Sequence, residues 1–151
     1  MPPARLPRTS AREQPENLAI LLREPFRAGT ELLHERLAER GHTAVRPPHG
    51  AVLQYLDDDG TQVSELARRA HVAKQSMAEL VAHLERHGYV ERVADPADRR
   101  AKLVRATPRG REVYAIAREV VAELEARWTA HLGAARMRQL RTLLEDLNAG
   151  L

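Results

Sequence analysis

The sequence predicts a mainly α-helical protein that carries one small β-hairpin. Three observations lead there. Aliphatic residues recur at helical spacing through most of the chain while aromatics make up only 3% of it, so the core is expected to rest on aliphatic helix faces. Between Val63 and Gly110, two short helical stripes separated by a tight turn give way to apolar–polar alternation. Within that alternation, Asp95-Pro96-Ala97-Asp98 is a turn signal between two short strands.

The chain opens with MPPARLPRTSAREQPE, which has arginines and prolines but no apolar run of a secretory signal. Residues 1–15 are expected to form a mobile tail. From about Glu16 to Arg40, Leu18, Leu22, Phe26, Leu33 and Leu37 follow the helical period. Pro25 lies inside this run and should kink or restart the helix, because it removes a donor and crowds the preceding turn. Gly41 suits the stop, residues 42–46 form a connector, and Pro47-Pro48 opens a second helix carrying Val52, Leu53 and Leu56. Asp57-Asp58-Asp59-Gly60 reads as a turn, since it lacks the alternating ligands and closing glutamate of a calcium loop. Thr61-Gln62 suffices for a minimal strand against the hairpin.

A third helix has Leu66, Ala67 and Ala70 on one face. A fourth sets Met77, Leu80, Val81 and Leu84 toward the core, with Lys74, Gln75, Ser76, Glu79 and His83 able to hydrogen-bond outward. Gly88 stops it, Tyr89 to Val93 alternates as a half-buried strand, and Lys102 to Arg105 returns after Arg99-Arg100. Thr107-Pro108 then supplies a hydroxyl N-cap and a proline at the first helical position. The long helix it starts runs through Val113, Ile116, Val120, Val121, Leu124 and Trp128 to about Gly133. A last helix carries Met137, Leu140, Leu144 and Leu147, with Leu143 beside them.

Helix, turn, helix and hairpin in succession outline a winged helix-turn-helix, a shape that lays its second helix in the DNA major groove. Residues 47–106 are therefore expected to form the DNA-binding domain. Residues 16–46 and 107–151 form a helical dimerisation region, because their apolar stripe is longer than so small a domain can cover. Charge follows the same division. The net charge is +3, yet residues 64–111 hold eleven Lys and Arg against six acids, a balance of +5 that leaves −2 elsewhere. Such a patch gives sequence-independent affinity for phosphates. A homodimer would set two reading helices ~34 Å apart, matching a palindromic operator in double-stranded DNA.

Other classes are excluded or disfavoured. The absence of cysteine removes thiolate, disulfide and cysteine-redox chemistry and suits a reducing cytoplasm. No run approaches the ~18 apolar residues of a membrane span. There is no Gly-rich phosphate loop and no nucleophile elbow, so neither an enzyme nor a cofactor is expected. His83 and His87 have the i, i+4 spacing of paired metal ligands, but on a reading helix solvated surface histidines are the better reading, and no metal site is expected.

Three strings, SELARRA (64–70), LVAHLERHGYVER (80–92) and DPADRRAKLVRATPRGRE (95–112), resemble the MarR family of bacterial transcriptional regulators. The likeness covers roughly Pro47 to Glu112. It implies a homodimeric repressor or activator that leaves its operator when a small molecule binds, a repressor being the first reading. By position, it implies that Arg100 enters the minor groove from the wing tip and that Asp98 orients it through a salt bridge. Arg99 and Lys102 become phosphate contacts, which position without reading sequence. Lys74, Gln75, Ser76, Ala78 and Glu79 match base-facing positions, and Gln75 has the donor and acceptor to grip adenine. His83 is a weaker, pH-dependent phosphate contact.

This chain departs from many relatives at Ala73, which offers the reading helix no side-chain cap, and at Glu79 and His83, where basic residues are common. The family's effector pocket lies between the dimer helices and the winged domain and commonly takes aromatic acids. Phe26, His34, Arg46, His49, Tyr55 and Trp128 are the candidates here, with Arg46 as the cation for an anionic aromatic effector. Ordinary core or rim packing stays the alternative for each. Two other functions stay open: a winged helix that docks a protein, and a DNA-binding regulator with no ligand.

Overall fold

Helix α1 (Leu18–Glu39) begins where the Asn17 side chain accepts the Ile20 N–H at 3.0 Å, the bond of a good N-cap. The computed structural model describes residues 17–151, so the tail expected at 1–15 lies outside the described residues. The helix does not restart at Pro25. One lost N–H bond is outweighed in a helix of 22 residues, where Arg27 also bridges Glu24 and Glu31 at i, i+3 and i, i+4 spacing. At its end Gly41 takes φ +84°. The His42 and Gly41 N–H groups then turn back to the carbonyls of Leu37 (2.8 Å) and Ala38 (3.1 Å).

A 3₁₀ turn, Pro47–His49, leads into α2 (Gly50–Leu53). This second helix is shorter than expected, and Leu56 packs against the core from beyond its end. Helices α3 (Val63–Arg69) and α4 (Lys74–Arg86) form the helix-turn-helix. Between them His71 adopts a left-handed φ of +52° and lets the Val72 N–H reach the Ala67 carbonyl at 3.0 Å.

Strands β1 (Val90–Ala94) and β2 (Lys102–Ala106) pair antiparallel, Val90 opposite Ala106 and Ala94 opposite Lys102. Thr61 adds the expected minimal strand, exchanging backbone bonds of 2.8 and 2.9 Å with Val104. Helices α5 (Pro108–Leu132) and α6 (Ala134–Ala149) complete the chain, broken apart at Gly133. Among the described residues no helix is long and apolar enough to cross a membrane.

The core lies inside the winged domain. Val52, Leu66, Met77, Val81, Leu84 and Val104 are fully buried, and Leu37, Val113, Ile116 and Val120 close it from α1 and α5. The start of α5 is fastened to this core at one place. The Thr107 hydroxyl accepts the Gly110 N–H at 3.1 Å and donates to the Gly88 carbonyl at 2.6 Å. Gly110 sits so close to the Tyr89 carbonyl that a Cβ there would fall 2.2 Å from its oxygen. Arg109 lies 4.7 Å above the buried Tyr89 ring, a cation–π contact. The Thr-Pro-x-Gly string is thus a joint between hairpin and long helix. Outside the core the picture inverts. Helix α6 buries no residue, and Leu140, Leu143 and Leu147 on it, Val121 on α5, and Leu18, Leu21, Leu22 and Phe26 on α1 are exposed.

Candidate nucleic-acid interface

The outer face of α4 is built from its own period. With Met77, Val81 and Leu84 turned into the core, Lys74, Gln75, Ser76 and Glu79 are left exposed. Ala78 is half-buried at the edge of this face. Ala73 is the N-cap and offers no side-chain bond, so the first amides of α4 point outward without a side-chain partner. His83 stands apart from this set. It is half-buried, its Nε2 bonds the Ala44 carbonyl at 2.9 Å, and its ring stacks on His49 at 4.3 Å. The outward, phosphate-facing placement expected of it is not what the structure shows, because a carbonyl and an imidazole on the neighbouring connector already occupy its polar and flat surfaces.

At the wing, Asp95 is 8% exposed and organises the turn. Its carboxylate accepts the Gln62 amide at 2.9 Å and the Ala97 N–H at 2.8 Å, which hold it below the usual carboxylate range. Asp98 was expected to orient Arg100 by a salt bridge. It instead accepts the backbone N–H of Arg100 at 2.9 Å, so it shapes the chain at the tip and leaves the guanidinium unpaired. Arg99, Arg100 and Lys102 are all exposed.

Ion pairing separates the cations. Arg68 and Arg69 share Glu65, Arg92 meets Glu85 at 3.1 Å, and Arg105 meets Glu91 at 2.8 Å. Arg69 also ties the Asp57 turn, donating to the Asp57 carboxylate at 2.9 Å and the Tyr55 carbonyl at 3.0 Å. Glu65, flanked by two guanidiniums, is pulled down to about 2. Among the described residues none of Lys74, Arg99, Arg100 and Lys102 stands in an ion pair. Their charge faces solvent from the reading helix and the wing.

The residues expected to line an effector pocket divide. His34, Arg46 and His49 come together around the connector, His34 Nδ1 on the Val45 carbonyl at 3.1 Å and His49 Nδ1 on the Arg46 N–H at 2.9 Å. Burial, then the neighbouring His83 and Arg46, pushes His49 down to about 4. Phe26 is 75% exposed on α1, Tyr55 packs on the core, and Trp128 is half-buried on α5. The open cleft lies elsewhere, between α2 and α5. It has a volume of about 570 Å³, and Leu53, Leu56, Tyr114, Arg118, Val121 and Glu125 are among its walls. None of the six expected residues lines it. The Tyr114 hydroxyl donates to the Leu53 carbonyl at 2.9 Å at its floor, and burial pushes that phenol up to about 12.

The sequence marks Asp95 as part of the turn, but its bond from Gln62 and the contact of Arg109 with Tyr89 act across the fold and left no local signal.

With this geometry in hand, comparison with known proteins is specific. A family model described as the MarR family matches residues 45–101. The HTH-type transcriptional repressor Rv2887 of Mycobacterium tuberculosis is 32% identical over 125 residues, 82% of this chain and 90% of that protein. The transcriptional regulator Tm0710 of Thermotoga maritima superposes with a TM-score of 0.61 at 28% identity, over 85% of this chain and 89% of that one. CouR of Rhodococcus jostii RHA1, solved bound to p-coumaroyl-CoA, superposes with a TM-score of 0.66 at 25% identity, over 87% and 92%.

Proposed function

This chain belongs to the MarR family of transcriptional regulators, and from that membership we propose that it is a homodimeric, sequence-specific DNA-binding repressor, released from a palindromic operator by a small molecule. The family and its relatives regulate transcription and are not enzymes. The observation that carries the reading is the set of unpaired cations, Lys74 on α4 and Arg99, Arg100 and Lys102 on the wing, flanking the exposed polar face of Gln75, Ser76 and Glu79. A protein-docking face would be expected to show apolar anchors at its centre; this one shows charge.

In this reading residues 47–106 read DNA, and residues 16–46 and 107–151 join two copies. Support for the second half comes from the leucines exposed on α1 and α6, an apolar surface of the kind that marks an interface. Arg100 enters the minor groove, Arg99 and Lys102 hold phosphates, and Gln75 reads a base. For the effector, the α2–α5 cleft offers apolar walls and the cation Arg118, beside Asp58 and the Arg141-paired Glu125. The p-coumaroyl-CoA bound by CouR supports an aromatic, anionic ligand class.

Salt titration of binding to a duplex from the DNA around the coding region tests the proposal. Four unpaired cations in each of two copies set the scale: log affinity should fall against log salt with a slope of up to about −7. The chain's two lysines, Lys74 and Lys102, both belong to the proposed interface. Bound DNA should therefore shield both from an amine-reactive ester, read by mass spectrometry. Equal labelling with and without DNA at low salt would refute the interface.

A further inference from the structure

The connector between α1 and α2 is gripped from two sides by imidazoles. A carbonyl can only accept, so His34 Nδ1 donates to the Val45 carbonyl at 3.1 Å and His83 Nε2 donates to the Ala44 carbonyl at 2.9 Å. His34 belongs to α1 and His83 to α4, so two consecutive carbonyls tie the two helices together. The His83 ring also lies nearly parallel to that of His49, with 4.3 Å between centroids and 15° between planes. His49 is 5% exposed and its Nδ1 accepts the Arg46 N–H, which fixes the ring to the same connector. His87 adds a third ring, 4.3 Å from His83, and its Nδ1 donates to the His83 carbonyl at 2.8 Å.

We propose that His83 is a positioning residue for the DNA-reading helix: through the Ala44 carbonyl and the His49 ring it sets the rotation of α4 relative to α1, and it touches no phosphate. The inference rests on the reading of α4 as the DNA-reading element. His83 lies one turn beyond Glu79 and two turns beyond Gln75 on the same side of the helix. Whatever fixes its angle fixes theirs. A rotation of ~10° about the axis moves a side-chain tip ~6 Å away by ~1 Å, enough to spoil a bidentate contact with a base edge. A point contact with phosphate tolerates such a shift better, so the loss should fall on sequence reading.

The test uses the full chain and two duplexes, one selected by the wild-type protein from a random pool and one of unrelated sequence. Affinities are read by fluorescence anisotropy at several salt concentrations. His83→Ala should weaken the selected duplex tenfold or more, change the unrelated duplex less than twofold and leave the salt slope unaltered. His83→Gln, whose amide can donate to the Ala44 carbonyl, should restore most of the loss. His34→Ala, which frees the same connector from α1, should repeat the selective loss, and it decides the matter should His83→Ala fail to fold. Equal losses on both duplexes with a shallower salt slope would make His83 a phosphate contact and overturn the proposal, as would undiminished affinity in both alanine variants. A wild-type protein that binds neither duplex would instead overturn the DNA-binding reading beneath it.

Discussion

His49 offers a prediction whose size follows from its surroundings. The ring is 5% exposed, and its Nδ1 is committed as acceptor of the Arg46 N–H, so the folded protein holds it neutral. Burial, reinforced by His83 and Arg46, lowers its pKa from 6.5 to about 4. In the unfolded chain the ring takes up a proton below about 6.5. Between pH 6.5 and 4 the unfolded state therefore binds more protons than the folded one, and stability falls as pH falls. The contribution is fully present above pH 6.5, and roughly 3 kcal/mol of it is gone by pH 4, at about 1 kcal/mol per pH unit in mid-range. That is a large share of the ~5–15 kcal/mol that holds a typical domain. Urea unfolding at fixed protein concentration, at several pH values from 7.5 to 4.5, measures it. His49→Gln keeps an acceptor for the Arg46 N–H but cannot titrate. The difference between wild type and variant should shrink steadily in the variant's favour as pH drops. A difference that stays constant over that range would refute the burial of a neutral imidazole at this position.

Gly110→Ala should cost more than ~3 kcal/mol, since the new methyl meets the Tyr89 carbonyl oxygen at 2.2 Å and both are backbone-fixed; thermal denaturation would show a melting temperature lowered by many degrees. Arg100→Ala should weaken operator binding several-fold or more and leave the sedimentation of the proposed dimer unchanged; intact affinity at physiological salt would remove Arg100 from the interface. Gln75→Ala should cost ~1–3 kcal/mol on the operator and relax preference at one position of each half-site, as read by selection from a random pool. A uniform loss on every sequence would make Gln75 a phosphate contact instead.

The local elements were legible because each obeys a local rule. The stripe of Met77, Val81 and Leu84, the left-handed stops at Gly41 and Gly88, and the Thr107-Pro108 start all involve residues a few positions apart. The sequence also allowed a minimal strand at Thr61-Gln62 against the hairpin, and only the fold selects Val104 as the partner of Thr61. What sequence did not reveal is where side chains with two plausible partners would turn. His83 is four residues from Glu79 and shares its side of α4, so its period alone suggests an outward ring. Only the fold brings the Ala44 carbonyl and His49 within reach of it. Asp98 was equally placed to take a guanidinium or a backbone amide two residues on, and the tight turn made the amide the nearer donor. The cleft between α2 and α5 joins residues some sixty positions apart, a juxtaposition no short-range pattern contains.

The net charge of a segment is a poor measure of what it presents to a polyanion until pairing is known. Residues 64–111 carry +5 by count, but the structure neutralises that sum unevenly. Glu65, Glu85 and Glu91 are spent on Arg68, Arg69, Arg92 and Arg105, all on the sides of the helices and hairpin. Asp95 is buried on Gln62 and on backbone amides, and the exposed Asp98 accepts the amide of Arg100. Among the described residues Glu79 is then the acid of that segment that stands in no ion pair or side-chain hydrogen bond, and its neighbours are Lys74, Gln75 and Ser76. Against phosphate it would repel; against a cytosine amino group it would accept a hydrogen bond. In the proposed interface, an exposed carboxylate at the centre of a cationic surface would work as a discriminator. It would weaken binding to DNA at large and lower that penalty only where the sequence supplies a donor. Glu79→Gln should raise affinity for unrelated duplexes more than for the operator, and an equal gain on both would show that this carboxylate reads nothing.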